Sequence, residues 1–214
     1  DGNGSFSGQK NITTNAEFAN SVYAADLDGD SDLDVLSASG SDDKIAWYEN
    51  TDGDGSFSSE QVITTNADVA YSVYAADLDG DGDMDVLSAS RGDDKIAWYE
   101  NTDGNGSFSG RKLITARAAN ANSVYAADLD GDGDMDVLSA SNRDNKIAWY
   151  ENADGNGGFS AQQVITTNAA GAFSVYAADL DNDGDMDILS ASSLDFKIAW
   201  YENTDSVLPV ELAS

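Results

Sequence analysis

Four stretches of this chain concentrate carboxylates at a spacing that suits a hard cation. The first reads Asp26-Leu27-Asp28-Gly29-Asp30-Ser31-Asp32-Leu33-Asp34. The second carries Asp77, Asp79, Asp81, Asp83 and Asp85, the third Asp128, Asp130, Asp132, Asp134 and Asp136, and the fourth Asp179, Asp181, Asp183, Asp185 and Asp187. Carboxylates at positions 1, 3 and 5 of a tight loop converge on one point. Position 7 can add its backbone carbonyl and position 9 closes the shell, approaching the six to eight oxygens that Ca²⁺ takes. An EF-hand needs an acidic residue at position 12, where this chain has Ser37, Ser88, Ser139 and Ser190. Purely solvated acidic turns are a poor account, because five Asp within nine positions repel one another unless a cation neutralises them. The loops hold 20 of the 40 acidic residues, so one Ca²⁺ in each would move the net charge from -30 to -22. Calcium is therefore expected as part of the fold, about one ion per loop. Extracellular modules bind it at ~10⁻⁴–10⁻³ M.

The rest of the composition narrows the chemistry. There is no Cys and no His, which removes thiolate metal sites, disulfides and the usual neutral-pH general base. A charge of -30 argues against nucleic-acid partners and anionic membrane surfaces. No apolar run approaches the ~18 residues of a membrane-spanning helix. No signal peptide is visible and the chain opens on Asp1, which fits a processed or excised piece of a longer protein.

The elements that must position these loops repeat with them. Asp26, Asp77, Asp128 and Asp179 are 51 residues apart, as are Trp47, Trp98, Trp149 and Trp200. That period suits propeller blades better than paired-helix repeats. Within one unit every signal is β. Residues 21–25 lead into the Asp loop, 34–39 follow it, and 44–49 form a third strand rich in β-branched and aromatic types. Asp52-Gly53-Asp54-Gly55 reads as a turn, with a fourth strand over 57–65. The expected architecture is all-β: a propeller of four 51-residue, four-stranded blades spanning residues 1–204, with 205–214 as a C-terminal linker. The units lie near 21–65, 72–116, 123–167 and 174–204, preceded by an N-terminal strand within 1–20. The four Trp are read as core.

The frame is offset. The chain begins with a fourth-strand segment that lacks its own first three, and its last unit lacks a fourth. Four blades closing alone, two chains pairing into eight blades, and membership of a larger ring all fit this arrangement, since each hides open sheet edges.

The run Val22-Tyr23-Ala24-Ala25-Asp26-Leu27-Asp28-Gly29-Asp30, continuing to Asp34-Val35-Leu36, resembles the FG-GAP/VCBS repeat, the calcium-loop blade of integrin α-subunit propellers and many bacterial surface proteins. The resemblance implies a propeller with calcium in the loop between the first two strands. By it, the ligands of the first unit are Asp26, Asp28, Asp30, Asp32 through its carbonyl, and Asp34. Ser31 departs from glycine at position 6, and Asn182 stands at position 4. The tail Val207-Leu208-Pro209-Val210-Glu211-Leu212 is similar to linkers before the sorting domain of Bacteroidetes type IX secretion substrates, implying a secreted or cell-surface bacterial protein.

In such blades the Asp loops share one face with the turns between third and fourth strands. Glu49, Glu100, Glu151 and Glu202 point towards it as outer-shell candidates. The opposite face carries the connections in which the four units disagree. Phe18, Tyr71, Arg91, Arg117, Asn142, Arg143, Phe173 and Phe196 break the repeat there, and are the candidate contacts for a glycan or protein ligand. Neutral drift of surface loops explains the same variation. A binding or adhesion module leads, with a rigid spacer as the alternative. An enzyme is disfavoured: Glu17, Glu60 and Asp68 are acids outside the repeated pattern, and no paired-carboxylate site is recognisable.

Overall fold

The computed structural model describes residues 4–204. Its fifteen strands form four antiparallel blades in chain order. Blade 1 holds β1 (Ala19–Ala25), β2 (Asp34–Ser39), β3 (Lys44–Tyr48) and β4 (Gln61–Thr64). Blade 2 holds β5 (Ala70–Ala76), β6 (Asp85–Ser90), β7 (Lys95–Tyr99) and β8 (Lys112–Thr115). Blade 3 holds β9 (Ala121–Ala127), β10 (Asp136–Ser141), β11 (Lys146–Tyr150) and β12 (Gln163–Thr166). Blade 4 has three strands, β13 (Ala172–Ala178), β14 (Asp187–Ser192) and β15 (Lys197–Tyr201). Each is a meander of sequential strands. The linker proposed for 205–214 lies outside the described residues.

The sheets of blades 2 and 3 are covered on both faces, so their strands read apolar on both sides. The face of blade 1 bearing Leu36, Ile45 and Trp47 packs on Val73, Ala75, Val86 and Tyr99 of blade 2. The same set recurs between blades 2 and 3, and again between blades 3 and 4. Alanines and serines in the first two strands of each blade let neighbouring sheets approach. The innermost strands stack in the order β1, β5, β9, β13, and their Tyr23, Tyr74, Tyr125 and Tyr176 form a ladder with ring centroids 4.5–4.7 Å apart.

The stack is open. No packing comparable to the internal interfaces joins β13 to β1. Residues facing a missing neighbour are therefore exposed: Trp200 is 49% exposed against 3% for Trp47, and Val22 71% against 4% for Val73.

Two boundaries differ from expectation. Residues 4–18 form no strand: no described strand pairs with them, and Glu17 and Phe18 only accept the N–H groups of Ser41 and Gly40. The fourth strands are shorter than 57–65 suggests. Phe57 makes an isolated bridge to Asn50, and regular pairing resumes only at Gln61, opposite Trp47.

Candidate metal centres and the opposite face

The Asp loops join the first and second strands of each blade, and carboxylates hold their backbone. Gly29 N–H and Ser31 N–H donate to Asp26 at 2.8 and 2.9 Å, while Asp32 N–H donates to Asp30 at 2.9 Å. Positions 4 and 6 are both left-handed in every loop. Asn182 tolerates this at position 4 (φ 63°), as a short polar side chain can. Ser31 keeps the turn at position 6 with φ 76°, where Gly82, Gly133 and Gly184 sit at 97–102°. The departure at Ser31 strains its loop without dissolving it.

In all four loops the carboxylates of positions 1, 3 and 9 converge. Asp26, Asp28 and Asp34 bring ligand oxygens within 4.8 Å of one another, as do Asp77, Asp79 and Asp85; Asp128, Asp130 and Asp136; and Asp179, Asp181 and Asp187. The expected shell also includes the carboxylate of position 5 and the carbonyl of position 7. Asp30, Asp81, Asp132 and Asp183 lie outside these triads, each carboxylate accepting the N–H of position 7. Asp32, Asp83 and Asp134 at position 7 turn their carboxylates against Gly53, Gly104 and Gly155 of the adjacent turn, leaving no room there for a Cβ. Asp185 of the fourth loop is likewise outside its triad.

The electrostatics match a cation centre. Burial pushes the Asp28 carboxyl up to about 6, with Asp34 and Asp30 adding repulsion. Burial raises Asp85 to about 7 and Asp136 to about 6, against the N–H groups that each accepts. In the open blade 4 the balance reverses, and the Asn203 N–H holds Asp187 below its usual range. Asp79 keeps a buried carboxylate oxygen without a hydrogen-bond partner. An all-oxygen donor set of this charge fits a hard divalent ion. Aspartate clusters in each repeat could thus hold a metal ion. Glu49 lies close enough to add to the repulsion on Asp28, while its Oε2 accepts from Gln61 at 3.4 Å.

Position 9 has a second task. Asp85 is fully buried, and its two oxygens accept Leu78 N–H at 2.9 Å and Asn101 N–H at 2.8 Å. It clasps the start of the loop to the end of the third strand, and Asp34, Asp136 and Asp187 repeat the arrangement. Asn101 then reaches across to Leu27 O of blade 1 at 2.9 Å. Sequence reasoning passed over this Asn. Its signal was a polar residue, Asn50, Asn101, Asn152 or Asn203, kept directly after the strand in every unit.

The opposite face forms where the other two connections meet. Gly40 N–H donates to Phe18 O, Ala67 N–H to Asp43 O and Val69 N–H to Asp43 Oδ1. Of the residues flagged there, the structure gathers three. Tyr71 of blade 2 meets Phe173 of blade 4 edge-on, ring centroids 6.1 Å apart, and Arg91 lies 5.1 Å over the Tyr71 ring. Phe18 and Phe196 are exposed singly at the two ends of the stack. Arg117 contributes a backbone carbonyl to Lys146. Asn142 and Arg143 sit in the turn before β11, where their N–H groups donate to Asn120 O and Ala119 O.

A polar crevice of about 860 Å³ opens on the same face between blades 1 and 2, lined in part by Thr64, Asp68, Asp93, Lys95, Tyr99 and Arg111. It was not foreseen. Its signal lay in one repeat position, which reads Glu60, Arg111 and Gln162 in successive units.

Comparison with known proteins decides the family. The model of the FG-GAP-like repeat matches residues 26–88, 77–139 and 128–190. The chain belongs to the FG-GAP-like repeat family. An Agrocybe aegerita lectin, solved for its specific recognition of non-reducing terminal N-acetylglucosamine, superposes with a TM-score of 0.56 at 25% identity, over 78% of this chain and 45% of the lectin. The Vibrio cholerae biofilm matrix protein Bap1 matches at 0.51 and 22% identity, over 85% of this chain and 26% of its own. Virginiamycin B lyase from Staphylococcus aureus matches at 0.52 and 12% identity, over 92% and 59%. The last two show the fold alone. This FG-GAP chain spans less than half of the lectin and about a quarter of the matrix protein. No curated protein matches it in sequence. FG-GAP repeats together with a lectin neighbour suggest an extracellular binding or structural module. No helix among the described residues is long and apolar enough to cross a membrane.

Proposed function

We propose that this FG-GAP chain is a calcium-stabilised, secreted or surface-exposed binding module that recognises a glycan through the face opposite its Asp loops. The observation that carries the reading is the meeting of Tyr71, Phe173 and Arg91 on that face, where the repeat is broken and the polar crevice opens. Aromatic faces with a neighbouring guanidinium suit the mixed apolar and hydroxylated surface of a sugar. The lectin likeness points to the same ligand class. Calcium is the natural occupant of the loops, because carboxylate-rich loops in this repeat family are all-oxygen sites.

The reading involves no catalytic step. Of the acids outside the repeat, Glu60 is tied to Lys44 at 2.9 Å. A glycan array that includes N-acetylglucosamine-terminated sugars tests the proposal. Binding should fall at least tenfold in Tyr71→Ala and Arg91→Ala. Silence across glycan and protein arrays would favour a rigid spacer instead.

A further inference from the structure

The repeat position just before the fourth strand changes charge from blade to blade: Glu60, Arg111, then Gln162. In blades 1 and 3 it bridges a lysine and a tyrosine. Glu60 Oε2 accepts from Lys44 Nζ at 2.9 Å and from Tyr48 OH at 3.4 Å. Gln162 joins the same two groups through both ends of its amide. Its Oε1 accepts from Lys146 Nζ at 2.8 Å, and its Nε2 donates to Tyr150 OH at 2.7 Å. Each lysine also pairs with the Asp two residues before it, and reaches a backbone carbonyl ahead of its blade, Asn15 O or Arg117 O.

Blade 2 has the lysine and the tyrosine without the bridge. Arg111 carries only donors, so it cannot accept from Lys95. Its Nη1 donates instead to Asn66 O at 2.9 Å, the carbonyl that by the repeat belongs to the lysine, and lies 3.7 Å from Asp93. Lys95 pairs with Asp93 and has no second acceptor among the described residues. Tyr99 is 1% exposed, yet its OH has no hydrogen-bond partner. Lys95, Tyr99 and Arg111 all line the polar crevice between blades 1 and 2. The gap that a carboxylate fills in blade 1 and a carboxamide in blade 3 therefore opens on a cavity.

The charge balance shifts in the same sense. The cluster of Asp42, Lys44 and Glu60 is net negative, and that of Asp144, Lys146 and Gln162 is neutral. Only Asp93, Lys95 and Arg111 carry a net positive charge. The other acids on the crevice are turned to the backbone: Asp43 Oδ1 accepts Val69 N–H at 2.9 Å, and the Asp68 carboxylate lies against Gly92.

We propose that this gap is a carboxylate-binding subsite, in which the acid group of a uronic-acid sugar takes the place that Glu60 fills in blade 1. The carboxylate accepts from Lys95 Nζ and Tyr99 OH, with the Arg111 guanidinium beside it. The inference rests on the glycan reading above and narrows it to acidic glycans. Blade 1 already seats a carboxylate beside its Asp–Lys pair with one cation fewer. Charge-assisted hydrogen bonds are the stronger kind, and a guanidinium matches the planar acid group. The ligand also relieves the cost of a buried hydroxyl left without a partner.

The test is an array of paired glycans whose terminal sugars differ only in a carboxylate or a hydroxymethyl group, glucuronic acid against glucose and galacturonic acid against galactose. The full chain is used in calcium and about 0.15 M salt, which confines the field of its surface charge to about 8 Å. The uronate of each pair should bind at least tenfold tighter. Arg111→Gln rebuilds the bridge seen in blade 3, so the melting temperature should hold or rise while the preference disappears. Tyr99→Phe removes an unpartnered hydroxyl, and should stay folded while uronate binding falls severalfold. Equal binding within each pair, lost in Tyr71→Ala, would overturn the subsite and leave the glycan reading standing. A uronate preference that survives Arg111→Gln would overturn it as well. A preference lost in Arg111→Gln but unmoved by Tyr71→Ala would uphold the subsite and remove the aromatic pair as the anchor. Binding of a polyglutamate peptide with no uronate bound would assign the gap to a protein carboxylate, against this proposal. Silence across the whole array would overturn both readings.

Discussion

Asn101 of blade 2 donates its side-chain N–H to the carbonyl of Leu27, 74 residues away in the Asp loop of blade 1, at 2.9 Å. Each of the first three Asp loops is thus gripped from behind by its own Asp clasp and from the side by the next blade. Asn152 and Asn203 repeat the grip on Leu78 and Leu129. The loop that could hold a cation and the stacking of the blades therefore meet at Leu27, whose N–H donates to Asp34 and whose carbonyl accepts from Asn101.

Asn101→Ala should therefore do two things. It removes a buried bond and orphans Leu27 O, at a cost of about 1–3 kcal/mol read by denaturant unfolding. It should also weaken calcium at the first loop, seen by titration calorimetry as one of four sites losing affinity. Destabilisation with all four sites unchanged would show that grip and ion are independent.

Excess EGTA should lower the melting temperature well below its value in millimolar calcium. Ion at about 100 times the dissociation constant contributes about 2.7 kcal/mol per site. Two substitutions separate clasp from ligand. Asp85→Ala orphans two buried N–H groups and should destabilise the protein by about 2–5 kcal/mol even with EGTA present. Asp79→Asn should destabilise only when calcium is there, and in EGTA should instead relieve its burial and the repulsion from Asp81 and Glu100. An identical melt with and without EGTA counts against the metal altogether.

Val69 is left-handed at φ 50°, a conformation costly for a β-branched residue, and blade 4 places Gly171 at the same repeat position. Val69→Gly relieves about 1–3 kcal/mol of strain against about 0.5–1 kcal/mol of added chain entropy. The melting temperature should rise slightly; a fall would show that the Val69 side chain packs better than its backbone suffers.

Ser192 Oγ, Lys197 Nζ and Ala170 N–H together hold the Asp195 carboxyl down to about 2 from its ordinary 3.8. The folded state thus binds this proton less readily than the unfolded chain. The contribution is complete above about pH 4 and disappears as the pH falls to about 2. Asp195→Asn should accordingly melt lower than the parent at pH 6 and level with it at pH 2. A gap that persists at pH 2 would assign the effect to packing.

Blades, loops and the two faces were legible because each unit states them again, and 51-residue spacing survives every substitution. Side-chain direction was not. Asp30 and the carbonyl of Asp32 read as ligands by position; that the Asp30 carboxylate also accepts a loop N–H and the Asp32 carboxylate lies against Gly53 is set by backbone geometry. The N-terminal segment has strand composition and strand-like local bonds, yet a strand exists only beside a partner. Tyr71 and Phe173 were separately visible as breaks in the repeat. That they touch depends on how sharply the stack curves, which no single unit encodes.

That contact has a bearing on the order of folding. The hydrogen bonds between blades, such as Asn20 to Ala70 and Val73 to Ser21, reach only into the next unit, so a blade can dock as soon as its successor is available. Tyr71 and Phe173 are two units apart. The proposed ligand patch is then the last local feature to form, and binding competence would report that the fourth blade has arrived.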